Sequence, residues 1–302
     1  MKSFPLVSII MNCYNGEKYL FESVNSIINQ THKNWELIFW DNSTNKKCFN
    51  IIKKFKDSRI KYFFYKKKLK LYSSRNLALK KCKGEFISFL DQDDTWEKEK
   101  LQKQLILFKD KKIGLVYSNF WKFNEHTLLK KKLASSINLP TGFITNKLLK
   151  SYNVGLLTIM IRKKFLINTK KIFNPKYNML ADFIFVLNFS LKYKFECVQE
   201  PLATYRYHSN QMSFKYYNTS INQHQKWLNT NSEINKFKTF KEFYKINDKI
   251  KFMQLVGLIK KSKNFNVFKK ILSYPNNIYK IKLFLKFFTP KIFFSYLFGN
   301  LY

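Results

Sequence analysis

The sequence predicts a mixed α/β fold with a mostly parallel sheet, followed by a helical C-terminal region. Three observations carry this. Apolar runs of strand length alternate with helically spaced apolar residues over the first 90 or so positions, the pattern of βαβ units. Polar clusters close three of those runs, at Asn12 and Tyr14, at Asp41, and at Asp91 and Asp93. Ligands bind beyond the carboxyl ends of parallel strands, so these clusters are expected on one rim. Beyond about residue 212 the alternation gives way to long Lys-rich, aromatic helical patterns.

In order, LVSIIMN (6–12) is the first strand, and Leu20, Val24, Ile27 and Ile28 fall at helical spacing after it. WELIFWD (35–41) is a second strand ending on Asp41. Residues 45–57 read as a helix and IKYFFY (60–65) as a third strand. SSRNLALKKC (73–82) is helical, Gly84 breaks it, and EFISFL (85–90) is the fourth strand. A helix is expected over 97–109, a strand over 113–121, and a helix near 142–151, with LPTG (139–142) as the turn before it. VGLLTIMIRKK (154–164) reads as a strand, 180–192 as a helix, and FECVQ (195–199) as a short strand followed by PLATYRYH.

The 302 residues are 45% hydrophobic, enough for one large domain or a domain with an appendage. A formal net charge of +37 points at first to nucleic acid or an anionic membrane. Of the 56 basic residues, however, only Arg59, Arg75, Arg162 and Arg206 are Arg. That is the mark of a general Lys bias on solvated faces, and no nucleic-acid partner is expected. Cys13, Cys48, Cys82 and Cys197 are scattered and lack C-x-x-C spacing, so reduced, mostly buried thiols of a cytosolic protein are expected rather than a zinc or disulfide site. The N-terminus has no small-residue cleavage site, and no run of about eighteen apolar residues marks a spanning helix.

FLDQDDTW (89–96) packs three carboxylates into four positions. Neighbouring carboxylates repel and are costly to bury. Three hard oxygen ligands suit Mg²⁺ or Mn²⁺, with phosphate oxygens completing the shell. The bland alternative is an acidic turn in which Asp94 or Thr95 caps a helix starting near Glu97. A calcium loop of the EF-hand kind fails, because position six is Trp96 and position twelve is Gln102. A phosphatase of the D-x-D-x-T kind fits locally, although three βα units precede the motif. A non-catalytic polyanion-binding protein is the reading from another class.

The blocks VSIIMNCYNGEKYLFESVNSIINQT, WELIFWDNST, SSRNLALKKCKGEFISFLDQDDTW, MLADFIFVL and PLATYRYHSNQMS occur in that order over roughly residues 5–213. Together they resemble the family 2 inverting glycosyltransferases, which have the GT-A nucleotide-sugar-binding fold. The resemblance implies a hexosyltransferase-class enzyme using Mn²⁺ or Mg²⁺ and a nucleotide-sugar donor. It places Asn12 and Tyr14 at the nucleotide base and Asp41 at the uracil edge, with Asn42 where a second Asp is usual. Arg75 falls near base and phosphates, and Asp91, Gln92 and Asp93 form the D-x-D element. Asp93 is implied as direct metal ligand, Asp91 as a ribose or neighbouring partner, and His208 as a metal ligand from the far side. Asp182 aligns with the catalytic base, with Ala181 in place of the usual Glu.

The implied division is a GT-A domain over 1–212 and a basic helical region over 213–302. That region carries 17 Lys against Glu233, Glu242 and Asp248. Its last part, KIKLFLKFFTPKIFFSYLFGNLY, alternates Lys with large apolar groups. It is read either as a membrane-interface segment or as a helix packed on the first domain. The expected acceptor is a cell-surface glycan or lipid-linked glycan, and the expected location is the cytoplasm, at the inner face of the plasma membrane.

Overall fold

Two fully buried strands lie side by side in the parallel part of the sheet. β1 (Val7–Cys13) and β2 (Trp35–Asp41) have all seven residues buried, as strands covered by helices on both faces must. The structure is a computed structural model that describes residues 4–67, 69–125, 131–166 and 172–289. The chain divides into two compact units, Met1–Gln211 and Met212–Tyr302.

In the first unit, β1 is followed by α1 (Glu17–Ile28), then β2, α2 (Lys47–Lys54), β3 (Ile60–Phe64), α3 (Leu71–Leu79) and β4 (Phe86–Phe89). β3, β2, β1 and β4 lie side by side and parallel. Helix α1 buries Leu20, Val24 and Ile27 completely, one stripe of a 3.6-residue period. Each such side chain contributes roughly 1.5–3 kcal/mol. Gly84 allows α3 to lead into β4, because a Cβ there would sit 2.6 Å from the backbone nitrogen of Ser8.

The sheet continues through β5 (Thr95–Trp96), α4 (Lys100–Leu107), β6 (Ile113–Asn124), β7 (Lys132–Leu133), α5 (Thr145–Lys150), β8 (Met160–Arg162), α6 (Ala181–Ser190) and β9 (Lys194–Tyr207). Its strand order is β3-β2-β1-β4-β8-β6-β9-β5, with β7 on β6. β8 runs antiparallel to β4 and β6, and β5 antiparallel to β9.

Two expectations are corrected here. The strand expected over 154–164 shrinks to Met160–Arg162, because Leu156–Thr158 form a 3-10 turn in which the Thr158 hydroxyl donates to the Gly155 carbonyl at 2.7 Å. The short strand at 195–199 and the PLATYRYH segment are one 14-residue strand. Pro201 is accommodated within it where the register against β6 shifts.

The second unit is helical among the described residues: α7 (Met212–Lys215), α8 (Tyr217–Leu228), α9 (Asn231–Ile234), α10 (Tyr244–Lys261), α11 (Phe265–Leu272) and α12 (Ile278–Phe288). Trp227, Phe237 and Phe243 pack as one aromatic cluster. Val256, Ile259, Ile271 and Leu283 join α10, α11 and α12. Asn264 and Asn277 cap α11 and α12, each accepting from a backbone N–H of the following turn. No described helix is long and apolar enough to cross a membrane. Residues 290–302 of the expected interfacial segment lie outside the described residues.

Candidate active site

Because β2, β1 and β4 are parallel neighbours, their carboxyl ends bring Asp41, Asn12 and the Asp91–Asp94 loop to one side of the sheet. Asn12 closes this floor. Its side chain is buried, and neither amide atom has a partner among the described residues. Such an orphan is costly unless something fills the site. Tyr14, two residues on, is 42% exposed, and its N–H donates to Gln92 Oε1 at 3.2 Å. Gln92 lies so close over Gly16 that a Cβ there would meet its side chain at 1.9 Å. The glycine thus lets the β4 loop close against the start of α1.

Asp41 is placed differently from the expectation. It is fully buried. One carboxylate oxygen accepts from the Ser43 N–H at 2.7 Å and the other from the Tyr62 hydroxyl at 2.8 Å. It therefore orders the β2–α2 turn from below instead of presenting a carboxylate on the rim. Asn42 is likewise engaged, donating to the Tyr65 and Lys67 carbonyls and accepting from the Ser74 hydroxyl.

Arg75, on α3, is also buried, with 3% of its side chain exposed. Its Nη2 donates to Asp91 Oδ1 at 2.5 Å. It supports the D-x-D element from within, on the side where the resemblance implied base and phosphates. Asp91 itself is 39% exposed. Desolvation pushes its carboxyl above the ordinary range; Arg75 opposes this, while Asp93 and Asp182 add to it. Asp182 enters the same cluster from the first turn of α6. Tyr72 feels it: burial pushes the Tyr72 hydroxyl well up, and the charge of Asp182 adds to the rise. Burial and Asp182 also raise Tyr152. Asp182, Tyr72, Arg75 and Asp91 thus form one electrostatic group, although more than 100 positions separate its ends.

On the other side of the loop, His208 Nε2 lies 3.0 Å from Asp93 Oδ2, and its ring packs against Tyr19 at 5.1 Å. Arg206 locks this side. Its backbone N–H donates to Asp94 Oδ1 at 2.9 Å, its Nε to the Asp93 carbonyl at 3.1 Å, and its Nη2 to Glu22 of α1 at 2.6 Å. Asp94 is therefore not a helix cap. It ties the loop to β9, and α4 begins at Lys100 with no side-chain cap. Burial pushes the Asp94 carboxyl well up, and Asp93 and Asp91 add to the rise.

The residues fit a divalent cation. Asp93 and His208 offer an oxygen and an imidazole nitrogen at contact distance, beside an Asp91 raised by desolvation and further by its like-charged neighbour. Hard cations with few protein ligands take the rest of their shell from phosphates and water. Among the described residues, three His, Cys, Asp or Glu ligand atoms lie within 4.8 Å of one another only at Cys13, Asp41 and Cys48. The D-x-D corner is thus a partial shell that a bound diphosphate would complete. Sequence reasoning missed Tyr72, Glu22 and the bracing role of Arg206. Tyr72 carried one signal, an aromatic residue three positions before Arg75, the helical spacing that sets the ring 4.8 Å from the guanidinium.

The family profile described as Glycosyl transferase family 2 matches residues 8–168. Among curated relatives, the UDP-Glc:alpha-D-GlcNAc-diphosphoundecaprenol beta-1,3-glucosyltransferase WfgD of Escherichia coli is 35% identical over 161 residues, covering 53% of this chain and 62% of WfgD. The match thus spans less than two thirds of that relative's length. The putative teichuronic acid biosynthesis glycosyltransferase TuaG of Bacillus subtilis is 30% identical over 216 residues, covering 69% of this chain and 82% of TuaG. Among solved structures, residues 1–349 of S. aureus TarS in complex with UDP-GlcNAc superpose with a TM-score of 0.60 at 19% identity, over 79% of this chain and 71% of that fragment. The mannosyltransferase PcManGT of Pyrobaculum calidifontis, in complex with GDP-Man and Mn2+, gives 0.55 at 14% identity, over 74% of this chain and 62% of its own. At those identities the structural likeness establishes the GT-A fold alone. The profile match covers more than half of the chain and runs through its strand-end blocks: the chain belongs to glycosyl transferase family 2.

Proposed function

We propose that this chain is a metal-dependent inverting glycosyltransferase that moves a sugar from a UDP-sugar to a hydroxyl of a lipid-linked or cell-surface glycan. The observation that carries the reading is the convergence of Asp182 with Asp91 and Arg75 beside the unpartnered amide of Asn12. Asn12 and the half-exposed ring of Tyr14 hold the base, with Gln92 fixing the Tyr14 backbone. Asp41 and Ser43 hold the turn beside them. Arg75 opposes the desolvation of Asp91 and orients it toward the ribose side. Asp93 and His208 would hold Mn²⁺ or Mg²⁺, which supplies charge neutralisation for the leaving diphosphate.

Asp182 takes the proton from the acceptor hydroxyl as that oxygen bonds to the anomeric carbon. The bond from that carbon to the diphosphate breaks on the opposite face, so the configuration inverts and the nucleotide diphosphate leaves. The uridine donor and diphospholipid acceptor are taken from the name of WfgD, and TarS was solved with UDP-GlcNAc. The Mn2+ in PcManGT supports the choice of ion. An assay with UDP-sugars and a diphospholipid-linked sugar tests this. UDP release that needs Mn²⁺ or Mg²⁺, with an inverted product anomer by NMR, is expected. Retention of configuration, or turnover of a simple phosphomonoester in its place, would refute it.

A place at the cytoplasmic membrane surface follows from a lipid-linked acceptor, and α12 supports it. Ile278, Ile281, Leu285 and Phe288 are each more than half exposed and repeat at three- and four-residue steps along one face. Leu283 on the opposite face is fully buried. An apolar seam on a unit with 17 Lys and three acids suits anionic lipid.

A further inference from the structure

The one close pair of thiols lies directly beneath the turn that the proposed donor site depends on. The sequence placed Cys13 and Cys48 35 residues apart and gave no reason to pair them. In the structure Cys13, the last residue of β1, donates from Sγ to Cys48 Sγ at 3.1 Å, and Cys48 sits in the first turn of α2. Both are buried. The Ser43 hydroxyl lies 3.8 Å from Cys13 Sγ and donates to Cys48 Sγ at 3.5 Å. The same oxygen accepts the Asn15 N–H at 3.0 Å, and Asn15 Oδ1 in turn accepts the Thr44 N–H. Asn15 has a left-handed backbone, φ +49°, next to Tyr14. The sulfur pair, Ser43, Asn15 and Tyr14 therefore form one continuous chain of contacts.

We propose that Cys13 and Cys48 are an oxidisable dithiol, a modification site for peroxides, whose disulfide reshapes the β1–α1 turn. Sulfurs this close need little movement to bond, and their cysteines lie on elements that are already packed together. Cys48 is the attacking sulfur. Its acceptance of the Cys13 hydrogen bond brings its thiol down to about 7, against the opposing effect of burial and with further help from Ser43. Thr44, Asn45, Lys46 and Lys47, all exposed, form the only chain between Ser43 and Cys48, so opening this one turn admits a small oxidant.

The chemistry balances. The Cys48 thiolate attacks one peroxide oxygen, forming S–O as O–O breaks, and the other oxygen leaves as hydroxide and is protonated to water. The Cys13 sulfur then attacks Cys48 sulfur, S–S forms, S–O breaks, and the hydroxyl departs as water with the Cys13 proton. Two electrons pass from the thiols to the peroxide. Once both sulfurs are tied, Ser43 loses its thiolate acceptor, and its hold on Asn15 changes.

The effect on donor affinity rests on the donor-site reading above; formation of the disulfide does not. The test treats the full chain with hydrogen peroxide, maps disulfides by mass spectrometry and measures the KM for a UDP-sugar before and after dithiothreitol. A Cys13–Cys48 disulfide, with the peptide pair lighter by two hydrogen atoms, is expected. It should raise the donor KM several-fold, reversibly, with kcat little changed. Cys48→Ala, and Cys13→Ala as a second variant, should hold KM constant under the same treatment. If Cys197, which is less buried, oxidises while Cys13 and Cys48 remain thiols, the dithiol assignment is overturned. One zinc per purified chain shielding both thiols would also overturn it, with Asp41 as the third ligand. A Cys13–Cys48 disulfide that leaves the donor KM unchanged would overturn the link to the turn alone.

Discussion

Asp41 and the Asp91–Asp93 pair follow parallel strands on either side of β1, yet they are built in opposite ways. Asp41 is fully buried, and both of its oxygens are satisfied by Ser43 and Tyr62. Asp91 and Asp93 are partly exposed and face each other's charge, held by one cation and one imidazole. The first carboxylate completes a structure by itself. The second pair is left with repulsion that a ligand of opposite charge would relieve. Acidic residues at strand ends thus divide into those that shape a turn and those that wait for a partner, and hydrogen-bond satisfaction tells them apart.

The comparison can be broken most severely at Asp93. Asp93→Ala should lower metal-dependent transfer by about 10²–10³-fold while leaving the melting temperature of the metal-free protein unchanged or higher. Asp41→Ala should do the reverse in kind. It leaves a buried N–H and a partly buried hydroxyl unpaired and should cost about 1–3 kcal/mol of stability in denaturant titration. Equal stability losses at the two positions would erase the distinction.

Arg75→Met falls toward the lower end of the same range of roughly 1–3 kcal/mol, because the partner Asp91 is partly solvated. Weaker donor binding by calorimetry is expected with it. Smallest is Asp94→Asn, which keeps the oxygen that accepts from Arg206. Burial, Asp93 and Asp91 raise the folded-state affinity of Asp94 for its proton. Stability of the metal-free protein should therefore fall as pH rises from the ordinary carboxylate range through the raised value. Asp94→Asn should flatten that slope and add on the order of 1 kcal/mol at neutral pH. Thermal melts across pH check both. On α12, Ile281→Ser with Leu285→Ser should reduce co-sedimentation with phosphatidylglycerol vesicles by about tenfold and leave UDP-sugar turnover intact.

Much of this was legible in the sequence, for identifiable reasons. Strand runs such as VSIIMNC and WELIFWD are buried on both faces, so continuous hydrophobicity marked them. Strand-end polar residues then fell on one side of the sheet because parallel strands share a direction. What remained hidden was long-range pairing. Nothing local told that Asp94 meets Arg206, that Asp182 meets Tyr72, or that Cys13 meets Cys48. The four Arg of this Lys-rich chain have specific partners. Arg59 stacks 3.7 Å over Trp35 and pairs with Asp57, Arg162 donates to the Phe108 carbonyl, and Arg206 locks the acidic loop. All four are planar, multi-donor braces, which Lys replaces poorly, so Arg marked architecture as much as the site.

As the proposed proton acceptor of a transfer that Asp91, Asp93 and His208 prepare, Asp182 should be dispensable for donor binding and needed for chemistry. Equilibrium UDP-sugar binding and single-turnover transfer, measured on Asp182→Asn with Mn²⁺ present, separate the two. Donor affinity within about twofold of the parent and transfer slowed by about 10²–10⁴-fold are expected. Transfer at the parental rate would remove Asp182 from the reaction.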